Sequence, residues 1–152
     1  AIGYDDKLTR ALYKALKASG MNVMNYGTVL ATIADKDKDE ALPLIRRFYN
    51  MGFNIQATEG TALFLKQNGI RTHKVGKLSD GSREITDAIR QGYVTYVINT
   101  RDMNSSDVLS DGHEIRRCAV ENNVTMFTSL DTVKVLLDVL EETTLGISTI
   151  DA

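Results

Sequence analysis

Five short apolar runs, rich in β-branched residues, alternate along the chain with segments whose apolar residues recur at helical spacing. Such nearly continuous apolar runs are typical of strands covered on both faces, as in a parallel sheet. The predicted strands are 28–34, 53–57, 71–75, 93–98 and 124–127. The predicted helices run from residue 39 or 40 to about Gly52, from Gly60 to about Asn68, from a Ser82 cap to about Gly92, from His113 to about Asn122 and from a Ser129 cap to about Glu142. Strands and helices that alternate through short turns predict an α/β fold, a doubly wound three-layer sandwich around a five-stranded parallel sheet.

Both ends of the chain lie outside this alternation. Residues 5–19 place apolar side chains at helical spacing ahead of Gly20, and residues 21–27 have no regular pattern. Residues 99–112 and 143–152 also lack apolar periodicity, which predicts a long loop and a tail. The predicted organisation is a helix and linker at 1–27, a main domain at 28–142 and a C-terminal tail at 143–152.

Composition narrows the class of protein. The 152 residues are 43% hydrophobic and 25% charged, which is typical of one soluble domain, and no apolar run has the length of a membrane span. The first twenty residues carry charges throughout, so no signal peptide is expected and we predict a cytoplasmic protein that binds no membrane. The net charge of −2, with Lys and Arg dispersed, argues against a nucleic-acid partner. The single Cys118 and two isolated histidines argue against a disulfide and a metal site.

The segment 53–62 carries the first chemical signal, because a buried strand leads directly into a helix start there. Unpaired N–H groups and the positive end of the helix dipole favour an anion at this position. Gly60 lets an anion approach the backbone, and Thr58 and Thr61 add hydroxyl donors. The same residues are also an ordinary helix cap, an alternative of about equal weight at this point.

Further polar residues follow the other predicted strands. Lys38 follows the first, Lys77 follows the third, and Asn99 and Thr100 end the fourth. The carboxyl ends of parallel strands meet at one edge of the sheet, where ligands of doubly wound folds bind. Taken singly, the lysines suit solvated loops and Asn-Thr suits a turn, but together they predict a phosphate site.

Candidates for catalysis are weaker. Asp102 and Asp111 have no second carboxylate at a fixed spacing, and His73 has no evident nucleophile to activate. Cys118 lies on the apolar face of its predicted helix, which favours a structural thiol. We therefore predict no catalytic residue in this chain.

Four stretches of the chain are recognisable, namely 27–38, 52–62, 96–100 and Ile115-Arg116-Arg117. Together they resemble the C-terminal allosteric domain of the large subunit of carbamoyl phosphate synthetase, which has the methylglyoxal-synthase-like fold. The resemblance covers nearly the whole chain and implies that the first 27 residues come from the preceding synthetase domain. It also implies a pocket for a nucleotide monophosphate effector such as UMP or IMP, in which phosphate or sulfate can substitute. The matching positions are Lys38, Thr58, Gly60, Thr61, Lys77, Asn99 and Thr100, with Thr32 as a further one.

The resemblance implies partners as well. The parent enzyme would be a glutamine-hydrolysing, ATP-dependent ligase that uses Mg or Mn, with a glutaminase small subunit, and it would supply pyrimidine and arginine synthesis. No cofactor is expected in this fragment. Arg101 replaces a second threonine that a relative has after Asn-Thr, so the choice of effector stays open.

Two enzymes that share the fold are the alternatives. Methylglyoxal synthase, a lyase that acts on dihydroxyacetone phosphate, has a base-bearing loop that resembles Gly-Pro-x-Gly-Gly-Asp. Residues 78–83 lack its proline and paired glycines, and Asp80 is the nearest substitute for its base. The cyclohydrolase domain of the bifunctional purine enzyme would need a larger chain and different loops.

Overall fold

The computed structural model describes the backbone of residues 26–77, 81–100 and 106–151, and the side chains of 26–77, 81–100 and 113–142. The helix predicted at 5–19 and most of its linker lie outside the described residues. Asp80, Arg101 and Asp102 lie outside them as well. The predicted division into three segments therefore stays a prediction.

A five-stranded parallel sheet forms the centre of the molecule, as predicted. Its strands are β1 (Thr28–Thr32), β2 (Asn54–Thr58), β3 (Thr72–Val75), β4 (Val94–Asn99) and β5 (Thr125–Phe127). Their order across the sheet is β3-β2-β1-β4-β5. Every neighbouring pair is parallel, with Ala31 opposite Ala57 and Thr32 opposite Asn99. The chain thus starts in the middle, adds two strands on one side and then two on the other.

Five helices connect and cover the strands. They are α1 (Lys38–Asn50), α2 (Glu59–Gln67), α3 (Glu84–Arg90), α4 (Ser106–Glu121) and α5 (Leu130–Asp151), and a single 3-10 turn, Asp35–Asp37, precedes α1. Pro43 lies inside α1 with an exposed side chain, near enough to the start that the helix continues through it. Ser129 accepts a hydrogen bond from the Asp131 N–H at 3.3 Å, as expected of a helix cap.

Two predicted boundaries are wrong. Residues 106–112 belong to α4 and not to a loop, because Ser106 and Asp107 favour the first turn of a helix although the segment has no apolar periodicity. The predicted tail at 143–152 is helical as far as Asp151. A helix that has already formed adds residues of modest propensity at little cost. The sequence pattern of the tail therefore did not predict that the helix continues.

The core has two layers, one on each face of the sheet. On one face α1, α2 and α5 cover an aromatic cluster in which Tyr96 lies 6.1 Å from Phe48, 6.0 Å from Phe53 and 6.1 Å from Phe127 between ring centroids. On the other face α3 and α4 cover Leu30 and Val97. None of the helices in the described part of the chain combines the length and the apolar character that a bilayer-spanning segment needs.

Candidate functional site

The candidate site lies at the carboxyl edge of the sheet, where the strand order reverses. β1 lies between β2 and β4. After β1 the chain forms β2 and β3 on one side of it, and later β4 and β5 on the other side. Crevices at such reversals are the usual ligand sites of doubly wound folds. Thr32 and Asn99 face each other across this junction, with only 3% and 8% of their surfaces exposed.

The first turn of α2 lies directly beside this junction. Thr58 ends β2 in an extended conformation, and the helix starts at Glu59. The N–H groups of a first turn have no partner within the helix. The Thr58 side chain makes no capping hydrogen bond, so the plain capping interpretation does not describe it. Its hydroxyl is therefore left for another partner.

Lys38 places a positive charge over the same helix start. A Cβ atom built on Gly60 would lie 3.5 Å from the Lys38 Nζ, so the ammonium group lies against the glycine. The Lys38 side chain is 17% exposed and forms an ion pair with the Asp35 carboxylate, which is 94% exposed. An ammonium group beside the positive end of a helix dipole favours an anion between them.

Thr61 and Thr100 have a structural task that the sequence did not reveal. The Thr61 Oγ1 accepts a hydrogen bond from the Ile33 N–H at 3.1 Å and donates one to the Ile33 carbonyl at 3.4 Å. The Thr100 Oγ1 accepts from the Ala34 N–H at 3.2 Å, and the Thr100 N–H donates to the Thr32 carbonyl at 3.0 Å. Both hydroxyls, predicted as donors to a ligand, hold the exit of β1 in place.

The hydroxyl of Thr32 is different, because its Oγ1 is buried and has no hydrogen-bond partner among the described residues. A buried polar group without a partner costs about 1–3 kcal/mol, so a native protein rarely keeps one without a reason. Its position at the end of β1, across from Asn99, puts this unpaired group inside the candidate site.

Lys77 reaches the same edge from β3. Val75 pairs with Thr58 in the sheet, and Lys77 follows it by two residues. Lys77 is half-buried and forms no ion pair with another described residue. No hydrogen bond or ion pair joins its side chain to Lys38 or Thr58 in the described part of the chain, and strand register is the observation that brings it to the site.

The loop that carries Lys77 is closed by Ser82, which was predicted to cap a helix, and by Glu84, which the sequence analysis missed. The Glu84 Oε1 accepts hydrogen bonds from the Gly76 N–H at 3.3 Å and from the Ser82 hydroxyl at 3.5 Å. The Ser82 Oγ accepts a hydrogen bond from the Glu84 N–H at 3.2 Å, so Ser82 bonds to the first turn of α3 as predicted, although Arg83 holds the N-cap position. The available signal for Glu84 was its acidic side chain just after a predicted helix start, since carboxylates are favoured in the first turn of a helix.

Neither His73 nor Cys118 lies at this site, and the side chains of the other two candidates for catalysis, Asp102 and Asp111, lie outside the described residues. His73 is exposed near the start of β3, away from the carboxyl edge. Cys118 is 3% exposed, burial raises the pKa of its thiol, and its Sγ donates to the Thr86 carbonyl at 3.7 Å. Within the part of the chain that the structure describes, no group of metal-binding side chains occurs.

Comparison with known proteins settles the family. A family model described as the MGS-like domain matches residues 40–128, more than half of the chain. The chain belongs to the MGS-like domain family. The crystal structure of methylglyoxal synthase from Elizabethkingia anophelis matches this MGS-like domain with a TM-score of 0.60 and 18% sequence identity. The match covers 76% of this chain and 79% of that chain, and at this identity it shows the shared fold.

Proposed function

We propose that this MGS-like domain is the regulatory domain of the large subunit of a carbamoyl phosphate synthetase. It binds a nucleotide monophosphate effector of the UMP or IMP type and thereby modulates carbamoyl phosphate synthesis elsewhere in the parent enzyme. Its partners are the rest of the large subunit and the glutaminase small subunit. The effector phosphate occupies the carboxyl edge of the sheet, between Lys38 and the first turn of α2.

The observation that carries this proposal is the position of the Lys38 ammonium against Gly60. The ammonium group, the helix dipole and the free N–H groups of the first turn all favour a doubly charged phosphate. Asp35 balances the charge of Lys38 in the absence of an effector, and because its carboxylate is exposed to water, exchanging it for a phosphate costs little.

Three further residues support a phosphate at this position. Thr58 offers a hydroxyl that caps nothing, Thr32 offers a buried hydroxyl without a partner, and Lys77 offers a second cation. Hydrogen bonds to an ionised phosphate are roughly twice as strong as those between neutral groups. Thr61 and Thr100 contribute by fixing the loop over which the phosphate lies.

Methylglyoxal synthase is the second candidate, favoured by the structural similarity to an enzyme of that name. This activity requires a carboxylate base next to the phosphate site. Asp80, the nearest substitute in sequence, lies outside the described residues. Residues 78–83, which include Asp80, lack the proline and the paired glycines of the base-bearing loop in methylglyoxal synthase. This difference supports the regulatory function.

A pair of measurements on the 152-residue chain separates the two functions. Calorimetric titrations with UMP, IMP, phosphoribosyl pyrophosphate and ornithine test binding, and an assay for methylglyoxal formed from dihydroxyacetone phosphate tests catalysis. We expect saturable binding of UMP or IMP and no turnover, since loss of an essential base commonly lowers a rate by about 10² to 10⁴. Turnover at the rate of an authentic synthase, or no binding of either nucleotide, would overturn the proposal.

A further inference from the structure

The ion pair between Lys38 and Asp35 joins two side chains with very different surroundings. The Asp35 side chain is 94% exposed, whereas the Lys38 side chain is only 17% exposed. The backbone fixes the two residues relative to each other, because the Lys38 N–H donates a hydrogen bond to the Asp35 carbonyl at the end of the 3-10 turn. An exposed carboxylate thus neutralises an ammonium group that is held against the protein.

The other neighbour of this ammonium group is the start of α2. The Lys38 Nζ lies against Gly60 in the first turn of that helix, where unpaired N–H groups and the dipole give a second positive region. Two positive regions repel each other unless an anion lies near them. Among the described residues, Asp35 is the one acidic side chain that forms an ion pair with Lys38. Asp35 therefore offsets a repulsion between Lys38 and α2.

A phosphate group at the proposed site has the same task. It accepts hydrogen bonds from the Lys38 ammonium group and also from the N–H groups of the first turn of α2, which the Asp35 side chain does not cap. Two anions that share one ammonium group repel each other, and this repulsion is strong where the shared group is mostly buried. Phosphate binding therefore weakens the pairing of Asp35 with Lys38, and that pairing weakens phosphate binding.

We propose that Asp35 is an internal competitor of the effector phosphate and sets the affinity of the site. This inference rests on the proposed phosphate site and adds a residue that regulates it. In the free protein Asp35 neutralises Lys38, and the incoming phosphate displaces the carboxylate towards water, to which it is already exposed. The affinity for the effector is therefore lower than Lys38 and the start of α2 alone would provide.

Asp35→Asn tests this proposal, with Asp39→Asn as the matched control. Each variant removes one exposed carboxylate from the same short stretch, but Asp39 forms no ion pair with another described residue. Calorimetric titrations of the 152-residue chain use UMP and inorganic phosphate as probes. Asp35→Asn should bind each probe about two- to fivefold more tightly, as expected for the loss of one competing ion pair. Asp39→Asn should change the affinity by less than about 1.5-fold at about 0.15 M salt, because salt screens an unpaired surface charge.

Thermal unfolding gives a second readout of the same competition. Without phosphate, Asp35→Asn should lower the Tm by about 1–4 °C, because Lys38 loses its counter-ion. At saturating phosphate this difference should disappear, since the bound phosphate has replaced the carboxylate in the parent chain as well. Asp39→Asn removes a favourable charge from the first turn of α1, so its loss in Tm should persist with phosphate.

The outcomes separate this inference from the proposed function. Tighter binding of inorganic phosphate by Asp35→Asn, without binding of UMP, would support the role of Asp35 and overturn the nucleotide effector. Binding of UMP that is unchanged or weaker in Asp35→Asn would overturn the role of Asp35 alone, and weaker binding would show that Asp35 positions Lys38. An equal gain in Asp39→Asn, or a Tm difference for Asp35→Asn that persists with phosphate, would also overturn that role. No binding of either probe to either chain would overturn both proposals.

Discussion

Lys38 illustrates how a single residue can be placed by its neighbour. Gly60 has no side chain, so the ammonium group lies 3.5 Å from the position that a Cβ atom would occupy. A Cβ atom at position 60 would lie in ordinary van der Waals contact with the lysine. No turn geometry requires glycine here, because Gly60 is not among the glycines with positive φ, and its small size leaves the first turn of α2 open beside the ammonium group.

Replacing Lys38 by alanine should weaken UMP binding without unfolding the domain. The lost contact is charge-assisted and contributes about 1.5–3 kcal/mol, which corresponds to a roughly tenfold to hundredfold lower affinity. Lys77→Ala should fall in the same range. Lys36→Ala is the matched control, since Lys36 is exposed in the same turn as Asp35. Calorimetry measures the affinities, and circular dichroism checks the fold. Unchanged affinity in both variants would place the pocket elsewhere.

Thr58 and Thr61 should respond to valine in opposite ways. Thr61→Val leaves the buried Ile33 N–H without its acceptor, so stability should fall by about 1–3 kcal/mol. Thr58→Val removes no capping bond, so stability should change by no more than about 0.5 kcal/mol, while UMP affinity falls by about 0.5–1.5 kcal/mol. Urea unfolding and calorimetry separate the two effects. A Thr61→Val protein as stable as the parent would contradict the assigned hydrogen bonds.

The sequence revealed the positions of these residues and not the direction of their hydroxyl groups. A strand followed by Thr-Glu-Gly-Thr locates the helix start by local rules alone. The Thr61 partner, Ile33, lies 28 residues earlier, and the Thr100 partner, Ala34, lies 66 residues earlier. These contacts exist only after the strands have paired, so no local pattern encodes them.

At the scale of elements, α1 and α5 lie side by side on one face of the sheet and are joined by Arg47. Its guanidinium group bonds to the Glu141 carboxylate at 2.6 Å and to the Asp138 carboxylate at 2.7 Å. The hydrogen bond to Glu141, followed by that to Asp138, raises the pKa of Arg47. All three side chains keep partial contact with water, which limits the energy of the pairs.

Arg47→Met should lower the free energy of unfolding by about 0.5–1 kcal/mol, because it removes two partly exposed ion pairs and keeps an apolar stem. The loss should shrink between about 0.05 M and about 1 M salt, since screening weakens the pairs that remain in the parent. Arg46→Met is the control, because Arg46 bonds only to the Asn68 carbonyl in the described structure. Urea unfolding at both salt concentrations gives the comparison. An Arg47 effect that does not depend on salt would show that packing dominates.

Elements with strong apolar periodicity were predicted correctly, and those without it were not. All five strands were located within about two residues at their ends, as is usual for sequence-based boundaries. The start of α4 was missed because residues 106–112 contain Ser, Asp and Gly, which favour turns when no tertiary contact is known. Arg47 and its partners, 91 and 94 residues apart, were beyond any local pattern.

At the scale of the whole molecule, the strand order explains why one edge collects the polar residues. β1 is central, so its exit loop is flanked by the ends of β2 and β4, and Thr61 and Thr100 tie that loop to both neighbours. An effector bound there contacts elements from both halves of the sheet. Binding should therefore stabilise the domain as one unit and not only a single loop.

This leads to a prediction for thermal unfolding with and without effector. UMP at about 100 times its dissociation constant should add about 2.7 kcal/mol to the free energy of unfolding, because it binds only the folded chain. For a domain of this size that corresponds to a rise in Tm of roughly 5–11 °C. Uridine at the same concentration should give almost no rise, since it lacks the phosphate that we propose Lys38 and the α2 N-terminus bind. Differential scanning calorimetry measures both. Equal stabilisation by uridine and UMP would show that the base and ribose, and not the phosphate at the strand reversal, provide the binding energy.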